Sequence, residues 1–167
     1  TALPIFRLVL QMIFSYEYLW IQIRVKGGAY GCMCSFSDQG DSMFVTYRDP
    51  NLSESYKVYD EAADYVADFD ADDRDMKKYI IGTIGSMDMP MEAVDMGARS
   101  FHAYFLGKTE ADLQKVRDQV LSCTQEDIRS LAPIVKAVVE AGNRCCIGNE
   151  EKIDQNKEYF DEVKHVL

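Results

Sequence analysis

The 167-residue chain contains only two histidines, and neither stands in a metal-binding spacing. The zinc-protease arrangements H-E-x-x-H and H-x-x-E-H put two His and a Glu on one helical face. His102 is followed by Ala-Tyr-Phe-Leu, so both are absent; it reads as a packed helical residue, and His165 as an exposed one near the end. The five cysteines include no C-x-x-C pair, which removes zinc ribbons and thioredoxin-type motifs. G-x-S-x-G is missing, and no Cys has a base beside it in sequence, which leaves little for a nucleophilic triad. Basic residues are also scarce, with 18 Lys and Arg against 28 Asp and Glu and a net charge of -10. That balance disfavours nucleic-acid binding and anionic membrane surfaces, both of which need clustered cations. No uninterrupted apolar run is long enough to span a bilayer. Residues 1–23 are strongly apolar, but Arg7, Gln11, Glu17 and Gln22 break the run. A signal peptide would start basic and end in small residues, and this segment does neither.

What is present suffices for a core: 47% of residues are hydrophobic and 11% aromatic. The length suits one domain or a large part of one. The start at Thr1, in a core-like helix with no lead-in, reads as a cut from a longer polypeptide, with 1–167 as a single domain. Much of the acid lies between Asp60 and Asp75. Asp68-x-Asp70-x-Asp72 resembles the opening of a calcium loop, but Asp73 and Tyr79 occupy the places of the required Gly and Glu. A solvated acidic turn that caps a helix is the better reading. Cys32 and Cys34 alternate onto one strand face as small buried thiols, and the cysteine set fits a reducing compartment. The expected setting is the bacterial cytoplasm, with an organelle matrix as the other option.

The pattern predicts a first helix from about Pro4 to Ile23, with Leu8, Met12, Tyr16, Leu19 and Ile23 as its stripe. Apolar residues around most of its girth make it the central helix. Gly27-Gly28 stops it. Residues 30–36 and 43–48, joined by turn residues Ser37 to Asp41, read as an antiparallel hairpin. Helices follow over about 52–67, 74–85, 90–106, 109–122 and 124–141, then a third strand over Arg144 to Ile147. Asn149 opens a last amphipathic helix carrying Ile153, Phe160 and Val163. The fold class is α+β, a small mainly antiparallel sheet with several helices on one face. Three strands are few for so many helices, so further strands are expected upstream, and the open edge could pair two copies.

One run concentrates the chemistry: Arg24-Val25-Lys26-Gly27-Gly28-Ala29-Tyr30-Gly31. It leads from helix to strand, the wrong direction for a phosphate loop, in which a helix N-terminus receives the anion. Arg24 brings five donors in a fixed fork, suited to a carbonyl or carboxylate. A tyrosine hydroxyl, here Tyr30, can donate to an oxygen where negative charge develops. The purely structural alternative is an Arg on a helix dipole and a Tyr in the core.

The string Leu19-Trp20-x-x-Ile23-Arg24-Val25-Lys26-Gly27-Gly28-Ala29-Tyr30-Gly31 resembles the presequence-protease branch of the pitrilysin/insulinase zinc metallopeptidases. Tyr47-Arg48-Asp49-Pro50-Asn51 and Ile80-Ile81-Gly82-Thr83-Ile84-Gly85 match the same branch, in order, and the likeness runs through nearly the whole chain. The resemblance implies the last domain of the C-terminal half, in the fold of the mitochondrial processing peptidase. It implies a two-half clam shell that hydrolyses unstructured oligopeptides. Zinc would lie in the N-terminal half, with no cofactor in this one, and a peptide would be held between them. Arg24 would hold a substrate carbonyl, Tyr30 would stabilise the oxyanion, and Gly28 and Ala29 would line the substrate. This chain alone would be inactive. The other option is a catalytically silent structural or interaction domain of the same fold.

Overall fold

The computed structural model describes residues 4–37 and 40–165. Its spine is a helical rod that begins with α1 (Arg7–Ile13) and widens into π-helical turns over Phe14–Tyr18 and Trp20–Lys26. Leu19, between them, keeps helical dihedrals and donates to the Phe14 carbonyl, five residues back. The buried positions explain the widening. Val9 and Leu10, Ile13 and Phe14, Tyr18 and Leu19, and then Ile23 are all sealed in the core. The steps are four and then five residues, too long for an ordinary α-helix. Bonds from residue i to i+5 keep that side facing inward. The expected stripe holds at Leu19 and Ile23, both buried, and fails at Tyr16, which is 64% exposed.

Strands β1 (Gly31–Phe36) and β2 (Ser42–Tyr47) form the antiparallel hairpin, with Cys34 opposite Phe44 and Gly31 opposite Tyr47. Asp38 and Gln39 of the predicted turn lie outside the described residues. Phe36 and Cys34 turn to the rod, while Met33, Met43 and Tyr47 face outward. Phe14 is the hub between rod and sheet, edge-on to Phe44 at 5.6 Å and close to Tyr65 at 6.1 Å. Arg7 is buried under the end of the sheet, where its Nε donates to the Phe36 carbonyl at 3.0 Å. Burial lowers its pKa from the usual guanidinium value.

Helices cover the rest of the rod. The predicted helix over 52–67 is two, α2 (Leu52–Asp60) and α3 (Ala62–Ala67). At the break the Tyr18 hydroxyl donates to the Val58 carbonyl at 2.7 Å, occupying an acceptor of the helix ladder. The acidic turn is a cap: Asp72 accepts from the amides of Arg74 and Asp75, opening α4 (Asp73–Met87). The Ile-Ile-Gly-Thr-Ile-Gly string lies on α4, where Gly82 fits against Met12, 3.3 Å from where its Cβ would be. Beyond α5 (Ala93–Phe105), capping boxes at Thr109 and Thr124 open α6 (Glu110–Leu121) and α7 (Gln125–Arg129). The expected helix to Ala141 breaks before α8 (Ala132–Glu140), because Pro133 has no amide proton to continue the ladder. No residue of α5 is buried among the described residues, so His102 is exposed rather than packed.

The third strand is not formed; residues 143–148 are irregular. This stretch is anchored by a side chain instead. Arg144 pairs with Asp60 at 3.0 Å and lies over the rings of Tyr56 and Tyr159. The last helix is short. Asn149 caps α9 (Glu150–Asp154), and a 3-10 turn, Lys157–Tyr159, leaves Phe160 and Val163 outside it. His165 is exposed beside Glu150. Among the described residues, no helix is long and apolar enough to cross a membrane.

Candidate functional site

The site forms where the rod reverses into β1. The last wide turn brings the Gly27 amide to the Gln22 carbonyl at 3.1 Å and the Ala29 amide to the Ile23 carbonyl at 3.2 Å. A Cβ on Gly27 would stand 2.5 Å from the Ile23 oxygen, so only glycine fits. Gly28 has a different reason to be glycine. Its φ is +77°, while the space around it is open to Pro50 at 3.8 Å. Ala29 then turns its methyl into the core at 4% exposure, and Tyr30 emerges at 65%. The structural alternative of a core tyrosine is excluded by that exposure. Ala29 could meet a ligand only through its backbone, not through the side chain.

The peptide groups of Tyr30 are held from both sides. Its amide donates to the carbonyls of Tyr47 (3.2 Å) and Arg48 (3.3 Å). Its own carbonyl accepts from Arg24 Nε at 3.1 Å. This leaves the two Nη ends of the Arg24 fork and the Tyr30 hydroxyl without a protein hydrogen-bond partner among the described residues. Arg24 is flattened over the Trp20 ring, 4.2 Å from its centroid. Contacts of this kind contribute about 0.5–1 kcal/mol at an exposed site and fix the guanidinium plane.

The Tyr-Arg-Asp-Pro-Asn segment braces the turn from the other side. Asn51 Nδ2 donates to the Gly27 carbonyl at 2.6 Å, across 24 residues of sequence. Asp49 accepts from the Asn51 amide at 2.9 Å and from the Ser55 hydroxyl at 2.5 Å, which fastens this brace to α2. Arg48 has φ 49°, the one left-handed non-glycine among the described residues. That conformation costs about 1–2 kcal/mol for a residue with a Cβ. It curls the Arg48 carbonyl back to the Tyr30 amide. It also sets the guanidinium 5.8 Å from the Tyr30 ring and 5.3 Å from the Tyr47 ring, which meet edge to face at 5.9 Å.

The site is cationic on an acidic protein. Arg24, Lys26 and Arg48 are exposed around it, and none has a carboxylate within ion-pair distance among the described residues. Beneath them lies Cys32. Burial raises its thiol pKa, the Arg24 charge opposes that rise, and Asp49 adds to it. No group of three or more His, Cys, Asp or Glu among the described residues could hold a metal ion. Among the described residues the donor set therefore does not fit a zinc ion.

Arg24, Gly28, Ala29 and Tyr30, singled out in the sequence, thus share one turn. Trp20, Arg48 and Asn51 were not singled out as site residues. The spacing of Trp20 and Arg24 on one helix was a signal for the first. The turn chemistry of Asp-Pro-Asn was a signal for the last.

The fold and this turn define an α+β domain that exposes the guanidinium of Arg24 and the phenol of Tyr30 at the end of its central rod. Residues 3–149 match the model of the PreP C-terminal domain, and the chain belongs to that family. It is 41% identical over 159 residues to Protein HypA of Clostridium perfringens, covering 95% of this chain and 16% of that protein. It is 34% identical over 157 residues to Presequence protease 1, chloroplastic/mitochondrial, of Arabidopsis thaliana, covering 92% of this chain and 14% of that one. A mitochondrial presequence protease of Aspergillus fumigatus is 34% identical over 146 residues, covering 86% of this chain and 13% of that one. The chain spans about one sixth or less of the length of these relatives.

Proposed function

We propose that this domain is the substrate-contacting C-terminal part of a zinc metalloendopeptidase that hydrolyses unstructured oligopeptides. The observation that carries the proposal is the double clamp on Tyr30. It leaves the Arg24 fork and the Tyr30 hydroxyl exposed and without a protein hydrogen-bond partner among the described residues. In this reading the two Nη groups of Arg24 donate to a carbonyl of the bound peptide and orient it. The Tyr30 hydroxyl donates to the oxygen that becomes anionic when the carbonyl turns tetrahedral. Gly28, with no side chain, lets the peptide backbone approach the turn. The ion that activates the attacking water belongs to the N-terminal half of the parent, so this chain alone is inactive. The names of the presequence proteases and the family match support the peptidase reading.

The partners in this reading are a peptide and the N-terminal half of the same polypeptide. The free edges of β1 and β2 would be covered by strands of the parent and could pair two copies of the domain in isolation. The setting in this reading is the bacterial cytoplasm, with an organelle matrix as the other option, since the relatives include a bacterial protein and proteases named chloroplastic or mitochondrial.

The test is Tyr30→Phe in the full-length parent. Losing an oxyanion donor lowers kcat roughly 10²-fold or more. Unchanged turnover would remove Tyr30 from the reaction. A parent with no zinc-binding half would favour a purely structural domain.

A further inference from the structure

The geometry points to Arg48 as a positioning residue for Tyr30, an inference that rests on the function proposed above. Three observations meet at this residue. Its backbone is left-handed at φ 49°, in a place where glycine would sit without strain. Its carbonyl shares the Tyr30 amide with that of Tyr47. Its guanidinium lies 5.8 Å from the Tyr30 ring and 5.3 Å from the Tyr47 ring, with no carboxylate partner among the described residues.

A strand end that needs only a turn would take Gly or Asn at such a φ. Retaining an arginine there keeps its side chain over two rings at the cost of backbone strain. The strain puts a cation where a phenol must be held. An exposed tyrosine is free to swing about χ1, and a hydroxyl that swings donates poorly to a fixed point. The Tyr47 edge and the Arg48 plane restrict that swing from two directions. Arg24 fixes the backbone of Tyr30, and Arg48 restrains its ring. Arg48 acts through Tyr30 and makes no contact of its own with the reacting bond.

The experiment uses the full-length parent in five forms: wild type, Arg48→Gly, Arg48→Lys, Tyr30→Phe and the double variant of Arg48→Gly with Tyr30→Phe. Glycine relieves the left-handed strain and keeps the backbone path, so the thermal midpoint is expected to hold or rise. The expected result is a kcat about tenfold lower for Arg48→Gly with KM nearly unchanged. In the Tyr30→Phe background the same change is expected to have no further effect, because the hydroxyl it positions is gone. Arg48→Lys, whose ammonium is a poorer ring partner than a planar guanidinium, should recover only part of the loss. Wild-type kcat in Arg48→Gly would overturn the inference. So would an equal loss in both backgrounds, which would show that Arg48 acts independently of Tyr30. If Tyr30→Phe alone leaves turnover intact, the underlying function fails, and the inference falls with it.

Discussion

Gly27→Ala puts a methyl where there is no room for one. The added Cβ would lie 2.5 Å from the Ile23 carbonyl oxygen and 3.2 Å from that of Gln22. Both are backbone atoms of the wide helical turn, so relief requires the chain itself to move. Gly27 has φ -80° and ψ -18°, ordinary for any residue, so the penalty is steric and not conformational. Forcing a methylene into a filled site costs about 1–3 kcal/mol. The movement also stretches the bond from the Gly27 amide to the Gln22 carbonyl, worth about 0.5–1.5 kcal/mol. Together these give a loss of about 2–4 kcal/mol, or roughly 4–16 °C in Tm for a chain of this size. Gly28 is the built-in control. It has space but a left-handed φ of +77°. Asn, which tolerates that conformation, should replace Gly28 at a cost below about 1 kcal/mol and should be as damaging as Ala at Gly27. Urea unfolding with an unchanged m-value measures both. A Gly27→Ala protein within about 0.5 kcal/mol of wild type would refute the steric account.

Further outcomes can be stated alongside. Asn51→Ala removes the 2.6 Å bond to the Gly27 carbonyl and should cost about 0.5–1.5 kcal/mol by urea titration. Phe14→Ala empties the fully buried hub between rod and hairpin and should cost about 3–5 kcal/mol in the same measurement. Burial pushes the thiols of Cys34 and Cys123 up from 9.0 to about 12, so both should resist alkylation until the protein unfolds, while exposed Cys145 reacts at once. The native state holds those two protons more tightly than the unfolded chain. Their contribution to stability is therefore complete below pH 9 and is lost as pH rises toward about 12, which urea midpoints across that range would show.

The hairpin, the Gly27-Gly28 stop and the acidic turn that caps α4 were legible because each is decided by residues adjacent in sequence. The phase of the first helix was not. Tyr16 fits a stripe of period near 3.6, yet the packing of Tyr18 and Leu19 against distant residues such as Tyr65 selects the wider turn. The break at Pro133 was present in the sequence and outweighed by the apolar run around it. Arg144 to Ile147 looks like a strand by composition. A strand also needs a neighbour, and here Asp60 and Tyr56 hold Arg144 by its side chain. Within the site, Arg24 and Tyr30 stood out by chemical type. Asp-Pro-Asn marks a turn by its own chemistry, but the bond from Asn51 to Gly27 spans a sequence gap that no local pattern reports.

The wide turns between Phe14 and Lys26 make the residue count of this rod as consequential as its chemistry. Deleting one residue there, with the bonds from i to i+5 kept, would turn everything beyond the deletion by about a quarter of a revolution. Arg24 would then leave Tyr30 although both side chains remained in the sequence. When relatives are aligned to this chain, a single gap inside that stretch is thus a change of site geometry. It would separate members with the same Arg and Tyr into those that present the pair together and those that do not.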